Sequence, residues 1–286
     1  MTSVRAALAS IGLPEPVSAS SLAGGCVHDV RLVELGSGDR VVCKVAAGAV
    51  GIAMLQSETR GLAAIAATRS LRTPRVHQLV CDGDGAVLVM EYLPKGTEGD
   101  WARAGRQLAQ MHAAEAGPRY GSEEEVWLGG TRLRSGWDHD WCEHLAERRL
   151  RPLLRDVLDS RAIGEREAAA IDAVIAGLPA RIPAAPTASL LHGDLWAGNF
   201  HIMRDGGVAV LDPAAVIGDP FLDIAMSSLF GGVPRAFFGA WRESFGDEEA
   251  EDERIAAGQM LHLLNHVRLF GAGYVPQLMG VVAALE

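Results

Sequence analysis

The chain has 286 residues, of which 49% are hydrophobic, enough for one large domain or two lobes with a sizeable core. Its net charge of −10 argues against a nucleic-acid partner, and no apolar run approaches the roughly 20 residues that a membrane span needs. We therefore expect a cytoplasmic, soluble protein with neither a nucleic-acid nor a membrane partner. The sequence carries no signature of an oligomeric state.

The N-terminal third alternates short β-branched segments with helices. A short first helix is expected to end near Gly12. Segments 28–35 and 40–46 predict a hairpin, because the turn-forming stretch GSGD separates them. Apolar residues at helical spacing predict a helix over 51–69, and the stretches PRVHQLVC and AVLVMEYL predict two further strands.

Beyond a connector near 91–99 the pattern becomes helical. Asp100 is expected to cap a helix, and long helical runs follow over 138–158 and about 165–178. Two short strands, NFHIM and VAVLD, predict a small hairpin, and the remainder of the chain predicts helices. This order predicts an α+β fold with a strand-rich N-terminal lobe and a mainly helical C-terminal lobe.

The four cysteines form no C-x-x-C pair and have no zinc-finger spacing. We expect Cys43, Cys81 and Cys142 to be reduced and mostly buried. Cys26 lies in a glycine-rich turn, where it is either an ordinary surface thiol or a redox-sensitive one.

The stretch LLHGDLWAGNF at 190–200 places polar side chains on a glycine-bearing turn after an apolar run. Asp194 and Asn199 are separated by four residues, and Asp212 follows the next strand. Because a tight turn joins the two strands, Asn199 and Asp212 should be neighbours. Their side-chain oxygens suit Mg²⁺, which takes its other ligands from water and phosphates. The carboxylate of Asp194 would then be free to accept a proton from a hydroxyl.

Phosphoryl transfer from ATP uses these groups together with a lysine that steadies the phosphates. Only two residues of the chain, Lys44 and Lys95, are Lys, while the other basic residues are Arg. Lys44 lies in the apolar stretch VVCKV, and Glu58 in the following helix is placed to pair with it. Each feature alone is weak, but their chain order between two lobes indicates a kinase that uses ATP and Mg²⁺.

The motifs LLHGDLWAGN and LDPAAVIGDPFLDIA resemble the fructosamine/ketosamine kinase family, within the aminoglycoside-phosphotransferase and choline-kinase-like superfamily. The segment WDHDWCEHLAERRLRPLL and the glycine-rich SLAGGCVHDVRLVEL are also similar to that family, so the resemblance runs from about Gly24 to Ile224. It implies a two-lobed protein-kinase-like fold with an N-terminal lobe over 1–93 and a C-terminal lobe over 94–286. It implies a catalytic loop at 192–199 and a metal loop at 212–220.

The resemblance also implies roles and a substrate. Asp194 is implied as the catalytic base, Asn199 and Asp212 as magnesium ligands, and Lys44 with Glu58 as the ion pair on the phosphates. The expected contacts of the nucleotide are the backbone of the connector and the glycine-rich turn, namely Glu91, Tyr92, Leu93, Gly24 and Gly25. The implied acceptor is the 3-hydroxyl of a small or protein-bound ketosamine, and the role is deglycation or protein repair.

Alternatives remain open. An aminoglycoside- or choline-type kinase would share the phosphate machinery, and a nucleotide-binding pseudokinase would serve as a scaffold. Trp196 either packs under the loop or forms a wall for the sugar. His192 is expected to shape the loop rather than act as an acid or base. Asp219 is expected to cap a helix and Asp223 to brace the catalytic loop.

Overall fold

The computed structural model describes residues 3–22, 28–114 and 116–286. Gly24, Gly25 and Cys26, which the sequence analysis singled out, lie outside the described residues. Within those three ranges, no helix combines the length and apolarity that crossing a membrane requires.

The N-terminal region is built on a five-stranded antiparallel sheet with strand order β1-β2-β3-β5-β4. Val33, Val41 and Cys43 on one face pack against a short helix, whereas Ala46 and Leu88 on the other face pack against a long one. The elements of this region are helix α1 (Val4–Ser10), strands β1 (Pro16–Ser21), β2 (Asp29–Leu35) and β3 (Arg40–Ala47), helix α2 (Gly48–Thr68), and strands β4 (Val76–Asp82) and β5 (Gly85–Glu91).

The C-terminal part is mainly helical and is packed around two apolar clusters. Its first helix begins as predicted, because the Asp100 side chain accepts a hydrogen bond from the amide of Arg103 at 2.9 Å. The helices are α3 (Trp101–Ala113), α4 (Trp141–Glu143), α5 (Arg151–Asp159), α6 (Glu165–Gly177), α7 (Phe221–Leu229), α8 (Arg235–Phe245), α9 (Glu251–Phe270) and α10 (Val275–Leu285).

Short strands complete this part of the fold. A four-stranded sheet has the order β10-β13-β6-β9, and two hairpins pair β7 with β8 and β11 with β12. These strands are β6 (Tyr120–Ser122), β7 (Val126–Leu128), β8 (Thr131–Leu133), β9 (Gly136–Asp138), β10 (Ser189–Leu191), β11 (Phe200–Ile202), β12 (Val208–Val210) and β13 (Val216–Gly218).

The strand pairings enclose the two loops that the sequence marked. Leu191 of β10 pairs with Val216 of β13, and Phe200 of β11 pairs with Val210 of β12. The catalytic and metal loops are therefore tied together on both sides by backbone hydrogen bonds.

The run over 138–158 is not one continuous α-helix, because a π-helix (His144–Leu150) joins α4 to α5. Pro152 near the start of α5 has no N–H to donate and crowds the turn before it. The carbonyl of Arg148 instead accepts a hydrogen bond from the Arg149 guanidinium at 3.3 Å. The wider π-helical turn thus accommodates Pro152.

Two other expectations were wrong. Cys81 is exposed, whereas Cys43 and Cys142 are buried as expected. Cys81 lies near the end of β4, at the edge of the sheet, where its side chain has no covering layer. The helical remainder after VAVLD is also interrupted, because β13 is needed to pair with β10.

Asp219 joins the metal loop to the helical core through a buried ion pair. It accepts two hydrogen bonds of 2.9 Å from Arg254 of α9, and a third of 3.0 Å from the amide of Phe221 at the start of α7. The expected capping role is confirmed, and the ion pair is an addition that the sequence did not reveal. Both side chains are almost fully buried, so neither charge is solvated by water.

We predict that Asp219→Asn lowers the free energy of unfolding by about 3 kcal/mol, because the buried Arg254 then keeps only Glu248, at 3.4 Å, as a charged partner. The control is Asp247→Asn, which removes the exposed partner of Arg242 and should change the free energy of unfolding far less. Urea unfolding of the two variants and the parent measures both changes. Equal effects of the two substitutions would contradict the prediction.

Candidate active site

The site lies between the N-terminal sheet and the catalytic and metal loops, around a cavity of about 690 Å³. Apolar side chains from both sides, among them Val30, Val42, Met90 and Leu211, form part of its wall. Seven of the residues predicted from the sequence also line it, namely Lys44, Glu58, Glu91, Tyr92, Leu93, Asn199 and Asp212.

Lys44 connects three parts of the chain at the bottom of this cavity. Its Nζ donates to Glu58 Oε1 of α2 at 2.6 Å, and it also donates to Asp212 Oδ1 after β12. Burial opposes the charge on Lys44, but Glu58 and Asp212 more than offset it, so the pKa of Lys44 is raised. For Glu58, burial raises the pKa, and the positive charge of Lys44 acts in the opposite direction. Lys44 is therefore a fixed cation at the cavity wall.

The position of Asp212 depends on an unusual backbone conformation. Its φ of 56° lies in the left-handed region, which is rare for residues other than glycine and is enriched at functional sites. The conformation brings one carboxylate oxygen to Lys44, and the side chain stays 42% exposed to the cleft. Helix α2 packs closely against Pro213, the residue after Asp212, because a Cβ on Gly61 would lie 2.9 Å from Pro213 Cγ.

Asn199 lies beside Asp212, as the hairpin predicted. Its carbonyl accepts a hydrogen bond from the amide of Leu211 at 2.9 Å. Its side-chain Nδ2 donates to the Asp194 carbonyl at 2.7 Å, which leaves Oδ1 for another partner. In the described part of the chain, no three His, Cys, Asp or Glu side chains converge on one point. An amide oxygen and a carboxylate on neighbouring residues of one cavity are of the kind that suits a hard cation, which takes its remaining ligands from water and phosphate.

Asp194 is partly buried beside these groups, and its Oδ2 lies 3.4 Å from Asn199 Nδ2. Burial, and next the negative charge of Asp212, raise the pKa of Asp194 to about 7. A carboxyl group with a pKa near neutrality is suited to accept a proton at physiological pH.

The loop that carries Asp194 is held from beneath by Asp223 of α7. Asp223 accepts hydrogen bonds from the amides of His192 at 2.7 Å and Gly193 at 2.8 Å. Burial alone would raise the pKa of Asp223, but the donors around it keep that pKa below its usual value. Gly193 has a φ of +80°, and a Cβ there would lie 2.1 Å from the Ala214 carbonyl oxygen. The structure thus supports the bracing role expected for Asp223.

His192 uses both ring nitrogens inside the loop. Its Nε2–H donates to the Leu211 carbonyl at 2.8 Å, and its Nδ1 accepts from the amide of Asp194 at 3.3 Å. Burial lowers the pKa of His192, so the ring is neutral. It links the catalytic loop to the segment that follows β12, in agreement with the shaping role that the sequence suggested.

Two residues behind Asp223 were missed. His112 of α3 lies 3.2 Å from Asp223 through Nε2, and its Nδ1 accepts a hydrogen bond from Trp241 Nε1 at 3.1 Å. Since Trp can only donate, the Nε2 of His112 carries the proton and donates to Asp223. The sequence placed His112 only within the helix that Asp100 caps, and nothing in it pointed to the contact with α8.

Some backbone groups of the connector are hydrogen-bonded within the protein. The Glu91 amide donates to Arg75, and the Leu93 carbonyl accepts from His201 Nε2 at 2.9 Å. The Leu93 amide has no hydrogen-bond partner among the described residues, and Leu93 lines the cavity. Lys95 also lines the cavity, so both lysines of the chain do. The scarcity of lysine was the signal that could have added Lys95 to the predicted site.

Trp196 lies outside the cavity wall, on the exposed side of the catalytic loop. Its ring packs over Gly198, where a Cβ would lie 2.3 Å from the ring, and 38% of the residue is exposed. Trp196 is therefore not packed beneath the catalytic loop, which was one of the two positions that the sequence left open.

We predict that Asp194→Asn raises the melting temperature at pH 8 more than at pH 5. The folded-state pKa near 7 lies above the unfolded value of about 3.9, so the carboxylate opposes folding increasingly as the pH rises from 4 to 7. The neutral amide removes that penalty. Melting curves of parent and variant at both pH values measure it, with the exposed Asp84→Asn as control. An equal difference at pH 5 and pH 8 would show that Asp194 is ionised throughout.

Comparison with known proteins places this geometry in a family. The fructosamine kinase family matches residues 5–285 of the chain. A probable ketoamine kinase of Synechocystis is 36% identical over 231 residues, which cover 78% of this chain and 76% of that protein. The ketosamine-3-kinase of Mus musculus is 29% identical and covers 92% of this chain and 93% of its own.

Comparison with solved structures leads to the same family. The putative fructosamine-3-kinase of Thermobifida fusca superimposes with a TM-score of 0.84 at 29% identity, covering 99% of both chains. That of Haemophilus somnus gives a TM-score of 0.85 at 25% identity, over 94% of this chain and 91% of the other. More distant neighbours include a macrolide 2'-phosphotransferase, with a TM-score of 0.62 and 16% identity, which shares the fold. The chain therefore belongs to the fructosamine kinase family and has the two-part kinase-like fold of that family.

Proposed function

We propose that the protein transfers the γ-phosphoryl group of ATP to the 3-hydroxyl of a ketosamine and so takes part in deglycation or protein repair. Family membership supports the acceptor class, and relatives named ketoamine kinase and ketosamine-3-kinase share most of the chain. The observation that carries the proposal is that Lys44, Glu58, Asn199 and Asp212 line one cavity, while Asp194 is hydrogen-bonded to Asn199. A scaffold without turnover would not require all five.

The nucleotide is proposed to lie with its adenine between Val42, Met90 and Leu93, where the free Leu93 amide can donate to the base. The connector 91–99 would then separate an N-terminal lobe at 1–93 from a C-terminal lobe at 94–286. The phosphates would extend toward Lys44, whose point charge is held by Glu58. The glycine-rich turn with Gly24 and Gly25 stays a proposed phosphate contact.

Asn199 and Asp212 are the proposed magnesium ligands, because the hairpin brings the two residues close together and both line the cavity. When bound, the ion would neutralise phosphate charge and polarise the group being transferred. Asp194 would hold the acceptor hydroxyl and accept its proton as the oxygen attacks phosphorus and ADP leaves. Asp223 would fix the backbone that carries Asp194. The cytoplasm, which supplies ATP and keeps thiols reduced, is the proposed location.

The decisive experiment measures ATP turnover with a panel of acceptors: fructosyl-lysine, ribulosyl-lysine, a glycated protein, choline and an aminoglycoside. We expect turnover with the ketosamines and phosphate at C3, located by NMR. Asp194→Asn should lower kcat by about 10²–10⁴-fold, which identifies turnover that belongs to this site. Turnover of choline or the aminoglycoside alone would replace the acceptor assignment, and no turnover with any acceptor would favour a scaffold.

We predict that Lys44→Arg causes a large loss of kcat/KM for ATP. The ammonium fits as a point charge between Glu58 and Asp212, whereas a planar guanidinium is wider and cannot make both contacts in the same space. The matched control is Lys95→Arg, at an exposed position on the same cavity, which should change kcat/KM much less. Steady-state kinetics with varied ATP decide this, and full activity of Lys44→Arg would remove Lys44 from the nucleotide site.

We further predict that Trp196→Ala raises KM for the ketosamine roughly tenfold, the value of one aromatic contact of about 1–2 kcal/mol, and leaves KM for ATP unchanged. Trp196 lies beside the catalytic loop but outside the cavity that would hold the nucleotide, so the acceptor is the ligand it can reach. Its exposure also predicts an unchanged melting temperature. A lower melting temperature with both KM values altered would instead assign Trp196 to the structure of the loop.

A further inference from the structure

An exposed group of aromatic rings begins next to the catalytic loop. Among the residues that the structure describes, three aromatic side chains are exposed: Trp196 at 38%, Phe230 at 39% and Phe270 at 59%. Trp196 belongs to the catalytic loop, Phe230 directly follows α7, and Phe270 is the last residue of α9. Large apolar side chains that are exposed together are typical of a surface that binds a ligand or a partner.

Phe230 and Phe270 belong to one cluster of rings, which we call the aromatic surface and which also contains His266 and Tyr274. The His266 ring lies at its centre, with its centroid 4.7 Å from that of Phe230 and 5.4 Å from that of Phe270. Tyr274 completes the surface at 5.1 Å from His266. His266 Nδ1 donates to the His262 carbonyl at 2.8 Å, which fixes the orientation of the central ring.

Two contacts place Phe230 beside the catalytic loop. The hydroxyl of Ser227, three residues before Phe230, donates to the Leu195 carbonyl at 2.7 Å. Two residues after Phe230, a Cβ on Gly232 would lie 2.8 Å from Ala197 Cβ. Gly232 and Ala197 both line the cavity, whereas the four rings of the aromatic surface do not. The aromatic surface therefore starts at the loop and lies outside the space proposed for the nucleotide.

The aromatic surface suits a cation that has an apolar body. Ring faces attract ammonium groups, and the C-terminal ends of helices carry partial negative charge. Both α7 and α9 end at this surface, at Leu229 and Phe270. Arg268, in the last turn of α9, is bound to Asp156 at 2.8 Å, so its charge is already paired. Burial lowers the pKa of His266, so the central ring is neutral and does not repel a cation.

Building on the proposed function, we infer that the aromatic surface binds the amine-bearing part of the ketosamine. The amine of a ketosamine is attached to C1, two carbon atoms from the 3-hydroxyl, and it is protonated near neutral pH. When the hydroxyl lies at Asp194, the ammonium group extends past the loop to the face of Phe230. The alkyl stem of the amine, such as the methylene chain of a glycated lysine, continues over Phe270.

The test compares two acceptors that share the sugar and differ in the stem. They are 1-butylamino-1-deoxyfructose, whose stem has the length of a lysine side chain, and 1-amino-1-deoxyfructose, which has no stem. Phe270→Ala should raise KM for the butyl compound at least about fourfold, the value of one methylene group removed from water. It should leave KM for the stemless compound and for ATP unchanged.

A second variant tests the ammonium site. Phe230→Leu keeps an apolar side chain but removes the ring face, and it should raise KM for both acceptors roughly two- to fivefold, the value of an exposed cation–π contact. Val50→Ala is the control, because Val50 is as exposed as Phe270, at 59%, and lies on α2. It should match the parent in every KM. Melting curves of all variants check that the fold is retained.

The inference is overturned if Phe270→Ala raises KM equally for both acceptors, since the ring would then support the site rather than hold the stem. Unchanged KM values in both phenylalanine variants overturn it as well. If sedimentation velocity then shows a parent dimer that Phe270→Ala loses, the aromatic surface joins two copies of the chain. A parent protein without turnover of either ketosamine would instead contradict the proposed function, which is a separate result.

Discussion

Three separate parts of the chain meet at the ammonium group of Lys44: a central strand, the helix α2 and the segment after β12. A charge buried to this extent is tolerated only when opposite charges surround it, because water cannot reach it. Two carboxylates around one ammonium leave that corner of the cleft with a negative excess. In the proposed complex, a divalent cation would offset that excess, and the negatively charged phosphates would be held by Lys44. The ion cluster itself links β3, α2 and the segment after β12.

A second buried charge, that of Asp223 beneath the catalytic loop, is also surrounded by groups that stabilise it. Its backbone amides donate to Asp223, whose carboxylate would be costly inside the apolar core unless His112 and the loop supplied donors. Trp241 then fixes the ring of His112 from α8. A chain of hydrogen bonds thus runs from the surface helix α8 through the core to the loop that carries Asp194. Rigid support of this kind is what precise placement of an attacking hydroxyl requires.

Much of the site could be predicted from the sequence, because its chemistry is local. The D-x-x-x-x-N spacing and the tight turn between β11 and β12 are enough to bring Asn199 next to Asp212, and the structure confirms that proximity. Lys44 stood out as a lysine among arginines. The pairing of Lys44 with Glu58 was also correct, since α2 follows directly from β3.

What the sequence did not reveal depends on contacts between distant segments. Strand β1 has the weakly apolar sequence PVSASS and forms only because β2 offers it an edge. The strands β6 to β9 have three residues each, too short for a periodic pattern. The partner of Asp219 lies 35 positions away on α9, and the π-helix depends on a proline whose effect falls on the preceding turn. Neither the ion pair nor the π-helix can be predicted from the secondary-structure propensity of neighbouring residues.

The scarcity of lysine has a chemical consequence for a protein of this family. Reducing sugars attach to unprotonated primary amines, and this chain carries only two lysine side chains. One of them, Lys44, is buried and held protonated by two carboxylates, so it is a poor nucleophile. Lys95 is left as the exposed lysine, while arginine supplies the rest of the positive charge. A protein that works among glycated amines thus offers sugars very few lysine amines of its own.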